Sequence, residues 1–295
     1  MPVSRHRRML TDLGLLYAAA IWGSTFFLVK GALADVDPVV LVGYRFCLAG
    51  LLLGVYAVIS GRDLGAHLGR GIYLGVILWL LYVPQTIGLG ITTASNSGFI
   101  TGLFVVFVPL FLRLIFKGRP TVMELAASGV ALVGLWVLTG GLVEMNAGDL
   151  LTLVAAMTYA LHLLYSDRFM KRGLDPYVIC CQQFLVVGVL SVLAASVLNL
   201  PFAVRTNAAL ATIVFLALFP SLSAFVVQML AQRIAPPLRV SLIFSLEPVF
   251  AAAFAWTLGG EAFVPRRAAG GLLIACALML SGLPTPRFLR RKHDR

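Results

Sequence analysis

GIYLGVILWLLYVPQTIGLGI, residues 71–91, is the stretch on which the reading of the fold turns. It holds no Asp, Glu, Lys, Arg or His. A helix rises 1.5 Å per residue, so a run of this length spans about 30 Å, the thickness of a bilayer's hydrocarbon core. Runs of the same kind recur at roughly 12–32, 38–59, 96–116, 122–141, 148–168, 175–198, 208–230, 238–259 and 265–283. They account for a composition that is 60% apolar and 12% charged over 295 residues. Soluble domains run about 45–50% apolar and about 25% charged. An ordinary soluble fold, a disordered chain and a secreted disulfide scaffold are thereby excluded. The expected fold is an all-α integral membrane protein of ten transmembrane helices, with short tails at 1–11 and 284–295.

Charge sets the expected orientation, because Lys and Arg collect on the cytoplasmic side of a membrane protein. With the N-terminus inside, 18 of the 23 Lys and Arg residues fall in inside segments. Outside lie only Lys30, Arg205, Arg266 and Arg267, and Arg45 sits within the second run. Both termini are therefore expected in the cytoplasm, with the chain in a bacterial inner membrane. The basic residues form short clusters between apolar runs, not one amphipathic face. The net charge of +11 thus points to the bilayer as partner and not to nucleic acid. Arg5, Arg7 and Arg8 resemble the basic start of a signal sequence. The run after them is longer than a usual signal core and nine more follow, so it reads as an uncleaved first span.

The chain also repeats itself. Pro38 opens the second run and Pro176 the seventh, 138 residues later. Pro84 and Pro220 are 136 apart, and Pro109 and Pro248 are 139 apart. Gly118 and Gly260, and Gly140 and Gly282, are each 142 apart. Two five-helix units, 12–141 and 148–283, are implied. Since each has an odd number of spans, the second must enter the membrane from the opposite face. Such inverted repeats build many secondary transporters, with the substrate site near the midplane between the halves. Prolines inside helices free a carbonyl and kink the axis, so Pro84, Pro109, Pro220 and Pro248 are read as paired hinges. Small residues four apart, such as Ala19 and Gly23 or Gly50 and Gly54, allow close helix contact without marking a specific dimer face. Oligomeric state is left open.

Several of these residues resemble a known family. Ala20-Ile21-Trp22-Gly23-Ser24, the Pro38 to Arg45 spacing, the Glu247-Pro248 pair, Gly118, and Gly259-Gly260-Glu261 are similar to features of the drug/metabolite transporter superfamily, and within it of the ten-helix EamA-type exporters. The resemblance runs from about residue 12 to 283. It implies export of amino acids and related metabolites, aromatic amino acids among them. It also implies a central cavity lined by spans 1, 3, 4, 6, 8 and 9, with spans 5 and 10 to one side. The counterpart of Arg45 in the second half is Gln183, so the halves are not chemically equivalent.

Polar groups at membrane depth are expensive and should face protein or water. Arg45 and Glu247 are read as structural or gating charges. Trp79, Tyr82, Gln85 and Thr86 share one helical face and suit an amphiphilic solute. Tyr159 and His162 stand three residues apart on another face, where a histidine can carry a proton. Trp22, Ser24, Asn96, Gln228, Ser241 and Ser245 complete the candidate cavity wall. Cys47, Cys180, Cys181 and Cys276 lie in apolar runs without metal-ligand spacing, so no metal, cofactor or disulfide framework is expected.

The chain has no HExxH, no GxSxG and no Gly-Lys dipeptide. Zinc hydrolase, serine hydrolase and ATP-driven pump motifs are thus absent. The expected function is a secondary transporter that exports small amphiphilic organic solutes by alternating access. Cationic drugs or sugar-type metabolites are alternative cargo, and an intramembrane enzyme is the alternative class.

Overall fold

A computed structural model of the chain describes residues 4–141, 145–257 and 262–281, without the side chains of Ser95 and Ala255. The Gly259-Gly260-Glu261 turn, Gly282 and the basic tail lie outside the described residues. The helices are α1 (Arg5–Ala32), α2 (Pro38–Ile59), α3 (Leu68–Ile91), α4 (Asn96–Leu114), α5 (Val122–Thr139), α6 (Ala147–Lys171), α7 (Pro176–Val197), α8 (Asn207–Gln232) and α9 (Pro237–Phe254). These nine, among the described residues, are long and apolar enough to cross a membrane. A tenth helix, α10 (Pro265–Ser281), has 17 described residues. Local sequence explains the starts. Asp37 and Asp175 cap α2 and α7 alike, each followed by a proline, and their carboxylates accept from Val39 N (2.8 Å) and Tyr177 N (2.9 Å). Proline suits the first helical position because that N–H has no helical partner. Thr121 with Glu124, and Asn146 with Asp149, form capping boxes for α5 and α6.

The bundle is held by direct contact between α2 and α7, which run antiparallel. Gly43 meets Val192, Cys47 meets Gly188, Gly50 meets Leu185 and Gly54 meets Cys181. At Gly188 a methyl group would stand 2.6 Å from Cys47 Sγ and 2.8 Å from Cys47 N, so only glycine permits this approach. The opposite faces of both helices are apolar and exposed, through Leu51, Val55 and Ile59 on α2 and Val189, Leu193 and Val197 on α7. The members of these two stripes are 138 residues apart, the proline spacing of the same helices. Exposed apolar stripes of this kind fit lipid, not water. Helices α5 and α10 pack on each other and form, with parts of α4 and α9, a core cluster separate from the main one.

Four helices are interrupted. Helix α1 breaks at Ser24. Helix α4 breaks at Leu103 and α9 at Ser245–Leu246. Helix α8 widens to a π-helix over Ala217–Ser223. The prolines relate to these breaks differently from the paired-hinge expectation. Pro220 lies in the π-helical stretch, but its counterpart Pro84 sits in an unbroken helix. There the Leu80 carbonyl loses its usual N–H partner, and Thr158 Oγ1 of α6 stands 3.3 Å away. Pro248 is the second residue of the second segment of α9, where a missing N–H costs nothing, whereas Pro109 is six residues past its break. The breaks themselves, at Leu103 and Ser245, are 142 apart.

Gly188→Ala is expected to lower stability by about 1–3 kcal/mol through overpacking. Gly129→Ala, on a face of α5 where an added methyl group meets nothing within 4 Å, is expected to be neutral or stabilising. Thermal unfolding of the purified variants in detergent tests both. Equal loss at the two sites would contradict the packing described.

Candidate functional site: a closed cavity among six helices

The breaks converge on one small cavity. It is lined by Trp22, Thr25 and Phe26 of α1, Leu81, Tyr82 and Gln85 of α3, Thr101 of α4, Tyr159 of α6, Phe225 of α8 and Glu247 of α9. These are the six helices to which the family resemblance pointed. Space for water-sized molecules inside is only about 30 Å³. That holds a water and no organic solute, whose sites measure about 300–1,000 Å³. The conformation is therefore closed around its centre.

The walls are mostly aromatic. The Trp22 indole makes edge contacts with Phe225 (5.2 Å between ring centres), Phe244 (4.9 Å) and Tyr159 (6.3 Å). Its N–H donates to the carbonyl of Pro220 at 2.8 Å, in the π-helical stretch of α8. Gly23, beside it, leaves room for the backbone of α9, since an added methyl group would stand 2.5 Å from the Glu247 carbonyl oxygen. This explains the Trp-Gly pair physically. Tyr159 packs at a tilt on Phe104 (4.5 Å between ring centres), and Tyr82 meets Phe46 edge-on (4.8 Å). Gln85 donates to Thr101 Oγ1 at 3.0 Å, bridging α3 to the first half of α4.

Two buried charges flank this wall. Arg45 is 3% exposed. Its Nε donates to Ser221 Oγ (2.6 Å), its Nη2 lies 3.5 Å from Tyr82 OH, and its guanidinium stands 4.6 Å over the Tyr82 ring. Glu247, 7% exposed, opens into the cavity, and no hydrogen bond or ion pair engages its carboxylate among the described residues. A carboxylate without a partner at membrane depth is costly, which makes it the most reactive feature of the wall.

Other sequence candidates lie elsewhere. Ser24 bonds the Ile21 carbonyl at the α1 break (2.6 Å). Trp79 is half-buried beside the main core, and its indole N–H has no partner among the described residues. His162 is fully buried with Nε2 2.8 Å from Gln183 Oε1 and its ring edge on Phe225. Gln228 points to Gln232 (3.5 Å), and Ser241 and Ser245 bond the carbonyls of Leu238 and Leu242 within α9. None of these lines the cavity. Asn96 sits at the α3–α4 turn, with Nδ2 3.5 Å from Asp149 Oδ2. The lining residues Thr25, Phe26, Leu81, Thr101 and Phe225 carried no signal beyond membership of an apolar run, except that Thr101 lies two residues before the α4 break.

An aspartate ties helices together near each end of the bundle. At one end, fully buried Asp149 accepts from Thr92 Oγ1 (2.5 Å), and Lys30 Nζ donates to the carbonyls of Leu89 (3.1 Å) and Thr92 (2.5 Å). The α3–α4 turn is thus clasped from two sides. At the other end Asp12 of α1 holds Arg239 of α9 by two hydrogen bonds, 2.9 and 2.6 Å. Asp12 and Asp149 are 137 residues apart, about one repeat.

The sequence matches the profile of the EamA-like transporter family twice, over residues 9–140 and 146–283. An uncharacterized transporter from Archaeoglobus fulgidus is 30% identical over 277 residues, covering 94% of this chain and 87% of that protein. The uncharacterized inner membrane transporter YedA of Escherichia coli K12 is 27% identical over 292 residues, covering 94% and 93%. A crystal structure described only as that of a protein superposes with a TM-score of 0.79 at 19% identity, covering 98% of this chain and all of that one, and shares the fold. The chain is a multi-pass integral membrane transporter and belongs to the EamA-like transporter family of the drug/metabolite transporter superfamily.

Proposed function

We propose that the protein exports small amphiphilic organic solutes that carry an amine, amino acids or related metabolites, by alternating access around the central cavity. The observation that carries this reading is the unpaired Glu247 carboxylate in a wall of Trp22, Tyr82, Tyr159 and Phe225. An ammonium is attracted both by the carboxylate and by aromatic faces. Gln85 and Thr101 offer neutral dipoles for the rest of a zwitterion.

The proposed architecture is ten spans in two inverted repeats, 12–141 and 148–283, with both ends of the chain in the cytoplasm. Support comes from α2 and α7, which carry the same Asp-Pro start and the same lipid-facing stripe yet run in opposite directions. The matched breaks in α4 and α9 support it as well. In this scheme Asp12–Arg239 closes the cytoplasmic mouth and Asp149–Thr92 the outer one. The centre then widens when either clasp opens.

Proteoliposome counterflow with a panel of amino acids and cationic drugs, with and without a pH gradient, tests the cargo. Exchange of amine-bearing amphiphiles is expected, falling at least tenfold in Glu247→Gln. Tyr82→Ala or Tyr159→Ala is expected to shift preference away from aromatic solutes by about tenfold, since one aromatic contact is worth ~0.5–1.5 kcal/mol beyond its buried area. Exchange of neutral solutes alone, or unchanged rates in Glu247→Gln, would overturn the reading of the site. The clasps are tested by labelling Thr101→Cys with a membrane-impermeant maleimide. Asp12→Asn is expected to speed labelling from the cytoplasmic side only, and Asp149→Asn from the outer side only. Labelling accelerated on the same side by both changes would refute the two-mouth scheme.

A further inference from the structure

A second concavity lies away from the transport cavity, between α4 and α5. It measures about 730 Å³ and is open along one side. From α4 it receives Val106, Pro109, Leu110 and Arg113, spaced as one helical face, and from α5 Leu125, Ser128, Gly129 and Leu132, spaced the same way. The connector adds Arg119 and Pro120. The antiparallel course of the two helices puts both arginines at one end and leaves the other end apolar. From Leu125 to Leu132 the groove runs about 10 Å.

We infer that this groove binds one anionic glycerophospholipid, its phosphate on Arg113 and Arg119 and an acyl chain along Pro109, Gly129 and Leu132. Three independent features point to that ligand. First, both arginines are exposed, and neither makes an ion pair among the described residues. The nearest acidic side chain in sequence, Glu124, is engaged by the backbone N–H of Thr121 at 2.7 Å. The charged end therefore lacks its counter-charge. Second, the floor is open at Gly129, where a methyl group would meet nothing within 4 Å, and on the facing wall Leu110 is exposed. That leaves a channel for a hydrocarbon chain at the depth of the bilayer. Third, Ser128 is buried, and its hydroxyl has no hydrogen-bond partner among the described residues. It stands one turn, about 5 Å, deeper than Leu125, the depth at which a lipid ester carbonyl follows its phosphate. A free phosphate would satisfy the arginines alone, and a fatty alcohol the groove alone. Only a phospholipid answers all three. Basic pockets between helices at the headgroup level recognise anionic lipids in this way.

The site needs nothing from the transport reading, so its test is independent of cargo. Native mass spectrometry of the full-length protein released from detergent, with phosphatidylglycerol, phosphatidylcholine or inorganic phosphate added, reads it directly. One phosphatidylglycerol is expected to stay bound under conditions that strip phosphatidylcholine, and phosphate is expected not to compete. Arg113→Gln and Arg119→Gln are each expected to weaken retention about fivefold, the equivalent of ~1 kcal/mol per cation. Gly129→Leu is expected to abolish it by filling the channel, with thermal stability in lipid-free detergent kept or raised. Equal retention of phosphatidylcholine, displacement by phosphate, or undiminished phosphatidylglycerol in the double arginine variant would each overturn the inference. If Gly129→Leu does not fold, the arginine pair, exposed and outside the packed core, decides the matter alone.

Discussion

A bilayer offers no water to a backbone group that has lost its helical partner, so a transmembrane helix can break only where protein or a wetted cavity takes over. The architecture follows from where that is possible. Helices α2 and α7 are unbroken and carry lipid-facing stripes of Leu, Val and Ile. The breaks in α1, α4, α8 and α9 all face inward, next to Thr25, Thr101, Phe225 and Glu247. Partners for the irregular stretches come from opposite helices. The Trp22 indole reaches the Pro220 carbonyl, and the Thr158 hydroxyl stands by the carbonyl freed at Pro84. The irregular centre depends on the regular periphery for its shelter.

The same rule governs charge. Arg45 is deep in the bundle, but its guanidinium has a hydroxyl, a phenol and an aromatic face around it. Those contacts fix α2 to α3 and to the π-helical part of α8. At the equivalent place in the second half Gln183 does similar work without charge, meeting His162 of α6. Glu247 is the exception, with no such partners among the described residues, and it opens on the small central cavity. A charge already satisfied by protein positions a structure, whereas one left unsatisfied invites a ligand. This contrast separates two residues that look alike in the sequence.

Side-chain clasps tie helices together near both ends of the bundle, and the centre holds almost no volume. The two clasps differ chemically. The Asp149 clasp is buried and works through a hydroxyl and nearby backbone, whereas Asp12–Arg239 is a half-exposed ion pair. Exposed ion pairs contribute little and weaken with salt, while a buried carboxylate that keeps its hydrogen bonds is harder to release.

The membrane class, the internal spacing and most helix positions were legible in the amino-acid order, but the first helix begins at Arg5 within the expected tail, because Ser4 caps it and the basic residues 5–8 are compatible with helix. Each legible feature rests on local physics: apolar length, the distribution of Lys and Arg, and the spacing of proline and glycine. Part of the cavity wall was legible too. Trp22, Tyr82, Gln85 and Tyr159 are polar or aromatic at a depth where such groups need a reason, whereas Glu247 reads in the sequence as a structural or gating charge and the structure sets it on the wall. His162, Gln228, Ser241, Ser245, Trp79, Asn96 and Ser24 met the same criterion and lie elsewhere, because each is taken up by a core neighbour, a turn or its own helix. A helical face is visible in a sequence, but the helix opposite it is not. Only the tertiary structure decided which faces meet, that Leu81, Phe225 and Thr101 close the wall, and that of the four prolines only Pro220 lies within an interruption. Those outcomes depend on contacts between different helices, from Gln85 with Thr101 to Trp22 with Pro220, which no local pattern encodes.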